Sequence, residues 1–187
     1  MRVDVYDFDG TIYDGDATID FYKYCLKKKK SIIIYLLPFS FNCILYFLKI
    51  VSKTKAKGSF FKFLIKFKNI DELVEDFWKN NQHKIKEFYL NKKHSKDIII
   101  SASPTFLLKY ICKKLKVKDL IASEVDKNTG NFLGLNCKGK EKVNRLMKKY
   151  SNVKVINMYT DSYSDLPLIE ISEKAFLVRK DKITQIK

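Results

Sequence analysis

The stretch Asp7-Phe8-Asp9-Gly10-Thr11 constrains this chain more than any other, because it closes an apolar run, residues 3–8, with two carboxylates two positions apart. A run of that length and character reads as a buried parallel strand. Residues i and i+2 of a strand share a face, and Gly10 lets the backbone turn sharply at once. Both carboxylates then stand at the carboxyl end of a strand, where open α/β sheets place their ligands. Crowded negative charge of this kind calls for a cation. Asp161 and Asp165 follow a second strand-like run, residues 153–158, so four carboxylates at two strand ends point to a magnesium site.

At 187 residues the chain has room for one core of ordinary size plus an insertion, and a hydrophobic content of 46% excludes a disordered chain. Further strands are expected over residues 97–101, 119–122 and 174–178. Helical spacing of Phe106, Leu107, Tyr110, Ile111 and Leu115 predicts a helix over 104–115, with Pro104 in its first turn. Val143, Leu146, Met147 and Tyr150 predict another over 140–150. Between the first two strands an all-helical insertion is expected, its last helix carrying Ile70, Leu73, Val74, Phe77, Trp78, Ile85, Phe88 and Tyr89 as core residues. Asn128-Thr129-Gly130 signals a small β-hairpin over 123–135. A calcium loop there lacks the bidentate acid that would close it.

The formal net charge of +16 is unevenly spread: residues 21–70 contain no Asp or Glu but twelve lysines, among them Lys27, Lys28, Lys29 and Lys30. Within that segment lies the apolar stretch 32–51, interrupted by Pro38, Asn42 and Lys49. Three readings compete. It has about the length of a membrane-crossing helix, although lysines flank both ends and site residues lie on both sides of it. It also fits the interior of a helical insertion, broken near Pro38. Its third reading is a membrane-surface element, with lysines for anionic lipid and Phe, Tyr and Leu for the interface. Basic, aromatic-rich sequence alone also suits nucleic acid, but no nucleic-acid motif accompanies it and no specific nucleic-acid partner is expected. The four cysteines are scattered and form no C-x-x-C, which suggests buried thiols in a reducing compartment. With strand and site sequence beginning at Met1, no cleavable signal is expected, and the cytoplasm is the expected location, with peripheral contact at the inner membrane face as an option.

In order along the chain, Asp7-Phe8-Asp9-Gly10-Thr11, the strand ending Ser101-Ala102-Ser103-Pro104, the lysine of Gly139-Lys140-Glu141, and Asp161-Ser162-Tyr163-Ser164-Asp165 together resemble the four motifs of the haloacid dehalogenase (HAD) superfamily of phosphotransferases. The branch it looks most like is subclass IB, which includes phosphoserine phosphatases and phosphatidylglycerophosphatase C-type enzymes. Thr160 departs from the glycine often found before the fourth-motif aspartate. The resemblance implies an α/β, Rossmann-like core over 1–16 and 95–187, with a parallel sheet of order 3-2-1-4-5, and an inserted helical cap of C1 type over 17–94.

For the site, the resemblance implies an Mg²⁺-dependent phosphatase. Asp7 is then the nucleophile that forms an aspartyl-phosphate, and Asp9 the general acid and base. Ser101 and Ala102 would bind phosphoryl oxygens, and Lys140 would neutralise charge on nucleophile and phosphate. Asp7, the Asp9 backbone carbonyl, Asp161 and Asp165 would hold the metal. Asp16 falls where phosphoserine phosphatases place an acid that contacts the substrate amine. However, Arg2, Arg145 and Arg179 are the only arginines and all lie outside the cap, so amino-acid carboxylate recognition lacks its planar fork. The likeness to phosphatidylglycerophosphatase C-type enzymes, which the apolar stretch 32–51 and the acid-free cap suit, implies a phospholipid headgroup monoester such as phosphatidylglycerophosphate as the expected substrate. Phosphoserine or another small soluble monoester is the alternative, and a non-catalytic basic nucleic-acid- or membrane-binding protein is the alternative of another class.

Overall fold

The structure is a computed structural model and describes residues 1–51, 58–180 and 182–187. Its principal elements are β1 (Arg2–Tyr6), α1 (Ala17–Lys28), α2 (Leu36–Phe47), α3 (Ile70–Asn81), α4 (Glu87–Lys92), β2 (Ile98–Pro104), α5 (Thr105–Leu115), β3 (Asp119–Ser123), α6 (Lys140–Lys149), β4 (Lys154–Thr160), α7 (Leu166–Ile171), β5 (Ser172–Arg179) and β6 (Lys182–Gln185). Short 3-10 turns occupy Lys30–Tyr35, Phe61–Lys66 and Gln82–Lys84. The six strands form one sheet of order β3-β2-β1-β4-β5-β6. All pairings are parallel except β5 with β6. The expected 3-2-1-4-5 order therefore holds, with one antiparallel edge strand added. That strand was not legible because Lys182 to Gln185 offers a single apolar residue, Ile183, and pairs through its backbone.

Alternation along the strands builds two cores. Val3, Val5, Ile98, Ile100, Val155 and Met158 face α6 and α7 through Leu146, Leu168 and Ile169. Tyr6, Phe8, Ile99, Tyr159 and Val178 face the other way, toward α5 and the helices between β1 and β2. On this second face Tyr6 stacks on Tyr159 with centroids 4.6 Å apart, and Tyr159 on Phe176 at 4.8 Å, an aromatic ladder across three strands. Helices on both faces are what a parallel sheet requires, since neither face can be left to water.

Among the described residues between β1 and β2 there is no strand, in line with the all-helical insertion. Its last part is two helices rather than one: α3 stops at Asn81, and the turn Gln82–Lys84 leads to α4. The aromatic spacing continues across that break because Ile85 and Tyr89 stay buried in the same core as Trp78. Trp78 ties the insertion to the sheet layer. It is fully buried, meets Phe8 and Tyr13 edge-on, and donates its Nε1–H to the Leu107 carbonyl at 2.6 Å.

The small hairpin expected over 123–135 is present, with one antiparallel bridge, Val125 to Phe132, and backbone hydrogen bonds from the Asp126 N–H to the Asn131 carbonyl at 2.8 Å and from the Leu133 N–H to the Glu124 carbonyl at 2.9 Å. Gly130 holds that turn against Phe61: at φ +71°, a Cβ there would lie 2.3 Å from the Phe61 carbonyl oxygen. Pro104 ends β2 and caps α5 instead of lying in the helix's first turn. On either side of the stretch 32–51 the chain comes back to one place, where Lys29 Nζ donates to the Lys66 carbonyl at 3.1 Å, while residues 30–47 have the length and composition, and no more than those, of a membrane-crossing helix. The break expected near Pro38 falls between the 3-10 turn and α2. Cys25, Cys112 and Cys137 are buried free thiols, and Cys43 is free and half-buried.

Replacing Trp78 with alanine removes a large buried ring and a satisfied hydrogen bond, and should cost about 3–5 kcal/mol in a urea titration. A loss below about 1 kcal/mol would mean that α3 does not share the core of the sheet.

Candidate active site

The site forms where β1, β2 and β4 end together and α6 begins. After Tyr6 the β1 backbone continues alongside β4, the Asp7 N–H donating to the Tyr159 carbonyl at 2.9 Å, which fixes Asp7 at the sheet's edge. Gly10, at φ +71°, makes the turn that follows. A Cβ on it would lie 2.3 Å from Asp161 Oδ2, so only glycine admits the Asp161 carboxylate this close. Lys86, from the insertion, steadies the same loop by donating to the Gly10 carbonyl at 2.6 Å.

Asp9 is held from two sides. Its Oδ1 accepts from the Ala17 N–H at 2.7 Å, and its Oδ2 from the hydroxyls of Ser103 at 2.6 Å and Ser101 at 3.3 Å. Thr18 from α1 lies 2.9 Å from the Ser103 hydroxyl, so helix and strand jointly set the orientation of that carboxylate. Ser101 is fully buried, with its hydroxyl turned to Asp9 and to the Ser103 N–H. Ala102 and Ser103, by contrast, line the open cavity. Asp16 caps α1, accepting from the Ile19 N–H at 2.9 Å, and its side of the helix also borders the cavity.

Lys142, not Lys140, occupies the position of the site lysine. Its Nζ donates to Asp7 Oδ1 at 2.9 Å and to Asp165 Oδ2 at 2.7 Å, and its side chain is 2% exposed. Lys140 starts the same helix but points to solvent. The spacing after Gly139 was misleading; helical periodicity carried the better signal. Lys142 is four residues before Leu146, the buried anchor of α6, so both stand on the inward face. Thr160 was also overlooked as a contributor: its hydroxyl donates to Asp165 Oδ2 at 3.0 Å, a contact glycine could not make.

Burial and neighbouring acids set the charges. Burial pushes the Asp7 carboxyl up to about 7, Lys142 pulling it down and Asp165 and Asp9 raising it further. Burial opposes the Lys142 charge, but Asp7 and Asp165 outweigh it and hold the ammonium above its usual range. Burial, together with Asp165, raises Asp161. Two carboxylates sharing one lysine, with two more beside them, leave uncompensated negative charge.

That surplus suits a hard divalent cation. Asp7, Asp9, Asp161 and Asp165 all line one cavity of about 410 Å³, and Asp165 Oδ1 is buried with no hydrogen-bond partner. All-oxygen donors of this kind fit Mg²⁺. A separate trio, Asp4, His94 and Asp97, lies outside this cavity with its ligating atoms within 4.8 Å of one another. There His94 bridges the two acids, 3.3 Å from Asp4 and 3.0 Å from Asp97, and none of the three was expected as a site residue.

Comparisons with known proteins bear on the family and the fold. The family model described as haloacid dehalogenase-like hydrolase matches residues 5–170. A search of curated proteins finds no match. Among solved structures, the chain is similar to a protein with unknown function from Bordetella pertussis Tohama I, with TM-score 0.75 and 16% identity, covering 90% of this chain and 86% of that one. It is similar as well to a phosphoserine phosphohydrolase-like protein from Francisella tularensis subsp. tularensis SCHU S4, with TM-score 0.59 and 16% identity over 94% of this chain and 86% of that one. A phosphoserine phosphatase solved as a phospho-aspartyl intermediate analogue matches with TM-score 0.51 and 15% identity, covering 93% and 84%. At these identities the likeness establishes a shared fold.

Two stability measurements probe the charge arrangement. Lys142→Met strands two buried carboxylates and should cost about 3–5 kcal/mol at pH 8, whereas Lys140→Met should stay within about 0.5 kcal/mol. Equal effects would remove Lys142 from its assigned place. Asp7 binds its proton more tightly folded than unfolded, so its ionisation weakens the metal-free fold as pH rises from about 4 through the folded value. With chelator at pH 8, Asp7→Asn should therefore raise the melting temperature, by about 2–4 °C for each kcal/mol recovered, with the gain vanishing near pH 4. A lower melting temperature for the variant at pH 8 would contradict the burial argument.

Proposed function

We propose that this chain, which belongs to the haloacid dehalogenase-like hydrolase family, is an Mg²⁺-dependent phosphomonoesterase working through an aspartyl-phosphate. The observation that carries the reading is Lys142 placed between Asp7 and Asp165, beside an Asp9 carboxylate oriented by Ala17, Ser101 and Ser103. Lys142 favours the ionised form of Asp7 against its burial, and the ionised form is the one a nucleophilic carboxylate needs.

In the first step an Asp7 oxygen attacks phosphorus, the bond from phosphorus to the ester oxygen breaks, and Asp9 gives its proton to the departing alcohol. In the second, Asp9 takes a proton from water as that water attacks the aspartyl-phosphate, which releases inorganic phosphate and restores Asp7. Lys142 takes the charge-neutralising role assigned at first to Lys140, and Ala102 and Ser103 face the space where the phosphoryl oxygens would lie. Ser101 supports Asp9 from beneath. Asp7, the Asp9 carbonyl, Asp161 and Asp165 would hold Mg²⁺, which when bound would neutralise charge on the phosphoryl oxygens. Residues 17–94 serve as the cap, and Thr18 and Ile19 bring it to the cavity wall.

For the substrate we favour a phospholipid headgroup phosphate such as phosphatidylglycerophosphate over phosphoserine. Ile19, Phe39 and Phe60 give the cavity an apolar side, and no arginine is among its lining residues. Asp16, the residue that would contact a substrate amine, already spends one oxygen on capping α1.

Phosphate release should require Mg²⁺ and fall by at least about a thousandfold in Asp7→Asn and Lys142→Met, with Lys140→Met within about twofold of the parent. A panel containing phosphoserine, nucleotides and phosphatidylglycerophosphate in mixed micelles ranks the substrates. Undiminished turnover in Asp7→Asn would sink the mechanism, and a clear preference for phosphoserine would sink the lipid assignment.

A further inference from the structure

The lobe between Lys29 and Lys66 presents an apolar stripe that none of the described residues covers. Leu37, Phe41, Ile44 and Leu48 follow one another at i, i+4, i+7 and i+11, one face of α2, and are 71, 60, 57 and 62% exposed. Ile33, Ile34 and Phe47 extend the stripe and are also exposed. None of the residues of α2 is buried. Large apolar side chains gathered in this way mark an interaction surface, unlike the single exposed ones scattered on any protein.

Charge decides what that surface meets. No acidic residue occurs from 21 to 70, and lysines stand at both ends of the stripe: Lys27, Lys28, Lys29 and Lys30 before it, and Lys49 after it. A second copy docking through this face would bring two lysine-rich, acid-free lobes together, an arrangement like charges oppose. An anionic surface with an apolar interior satisfies both halves of the pattern.

We infer that the α2 face docks on an anionic phospholipid bilayer, with Leu37, Phe41, Ile44, Phe47 and Leu48 entering the interfacial layer and the flanking lysines paired with lipid headgroups. The lobe lies on the membrane, with Lys29 and Lys66 joined at its base. The same helix reaches the catalytic cavity from its other side: Phe39 packs on Phe60 with centroids 5.2 Å apart, and both rings line that cavity. Docking therefore puts the cavity wall at the lipid surface. The docking inference stands on the lobe alone; only its use in presenting a lipid-linked phosphate rests on the phosphatase reading.

The test is flotation of the full chain with vesicles of phosphatidylglycerol and phosphatidylcholine against phosphatidylcholine alone, at low and high salt. Binding is expected on the anionic vesicles and should weaken with salt. Leu37→Asp/Phe41→Asp and Lys27→Glu/Lys30→Glu should each lower vesicle affinity by about tenfold or more. Neither pair lines the cavity, so hydrolysis of p-nitrophenyl phosphate in solution should be unchanged and reports intact folding. No binding to anionic vesicles at low salt, or unaltered binding by Leu37→Asp/Phe41→Asp, overturns the inference. A lipid-free dimer abolished by the same substitution, seen by sedimentation equilibrium, overturns it too, because a second copy would then be the occupant. Vesicle binding without hydrolysis of any monoester upholds docking and sinks the phosphatase reading instead.

Discussion

The buried ammonium of Lys142 between Asp7 and Asp165 is the interaction on which the site depends. Its three members come from the end of β1, the first turn of α6 and the loop after β4, and Lys142 and Asp7 are 135 residues apart in the chain. Removing charges from water is costly, and such a cluster persists only where its geometry satisfies most of its members. Thr160 adds a hydroxyl to Asp165, yet one Asp165 oxygen stays unsatisfied and Asp7 remains hard to ionise. The fold thus tolerates an electrostatic deficit at this point, as sites that bind cations and anionic substrates do.

That deficit is tolerable because the scaffold around it is over-determined. β1 lies between β2 and β4, so the Asp7–Asp9 turn is flanked by paired strands on both sides. The insertion adds a third support. It shares one continuous core with the sheet, through Phe8, Tyr13, Phe77 and Trp78, and Lys86 reaches the Gly10 carbonyl. Its α3 and α4 are thereby part of the catalytic layer, while α2 has no buried residue. Parts of a chain with few buried apolar contacts are the ones that open most readily. The site accordingly has a rigid floor, and of its apolar wall only Phe39 stands on the less firmly anchored α2.

The same division explains where hydrophobicity went. Val3, Val5, Ile98 and Ile100 are consumed by the sheet, and Phe77 and Trp78 by the insertion's attachment. Leu37, Phe41, Ile44 and Phe47 are left exposed although they are no less apolar. Exposing them in water forgoes burial worth on the order of 1.5–3 kcal/mol for each large side chain, which an interface can recover.

The chain's local chemistry determined much of this protein. Runs of β-branched and aromatic residues marked five of the six strands, and two aspartates followed by glycine placed a turn at a strand's carboxyl end. These are properties of adjacent residues: side-chain alternation, helical spacing and the torsional freedom of glycine. What tertiary structure decided are pairings between distant segments. Choosing Lys142 over Lys140 required knowing which face of α6 meets the sheet, and giving Ser103 a place beside Asp9 required β2 to stand next to α1. β6 exists because β5 offered an open edge, its own pattern being too weak to announce it. The stretch 32–51 had the composition of a core, a span or a surface. Only the tertiary structure showed that no residue of α2 is buried, because whether an apolar side chain is buried depends on what the rest of the fold brings against it.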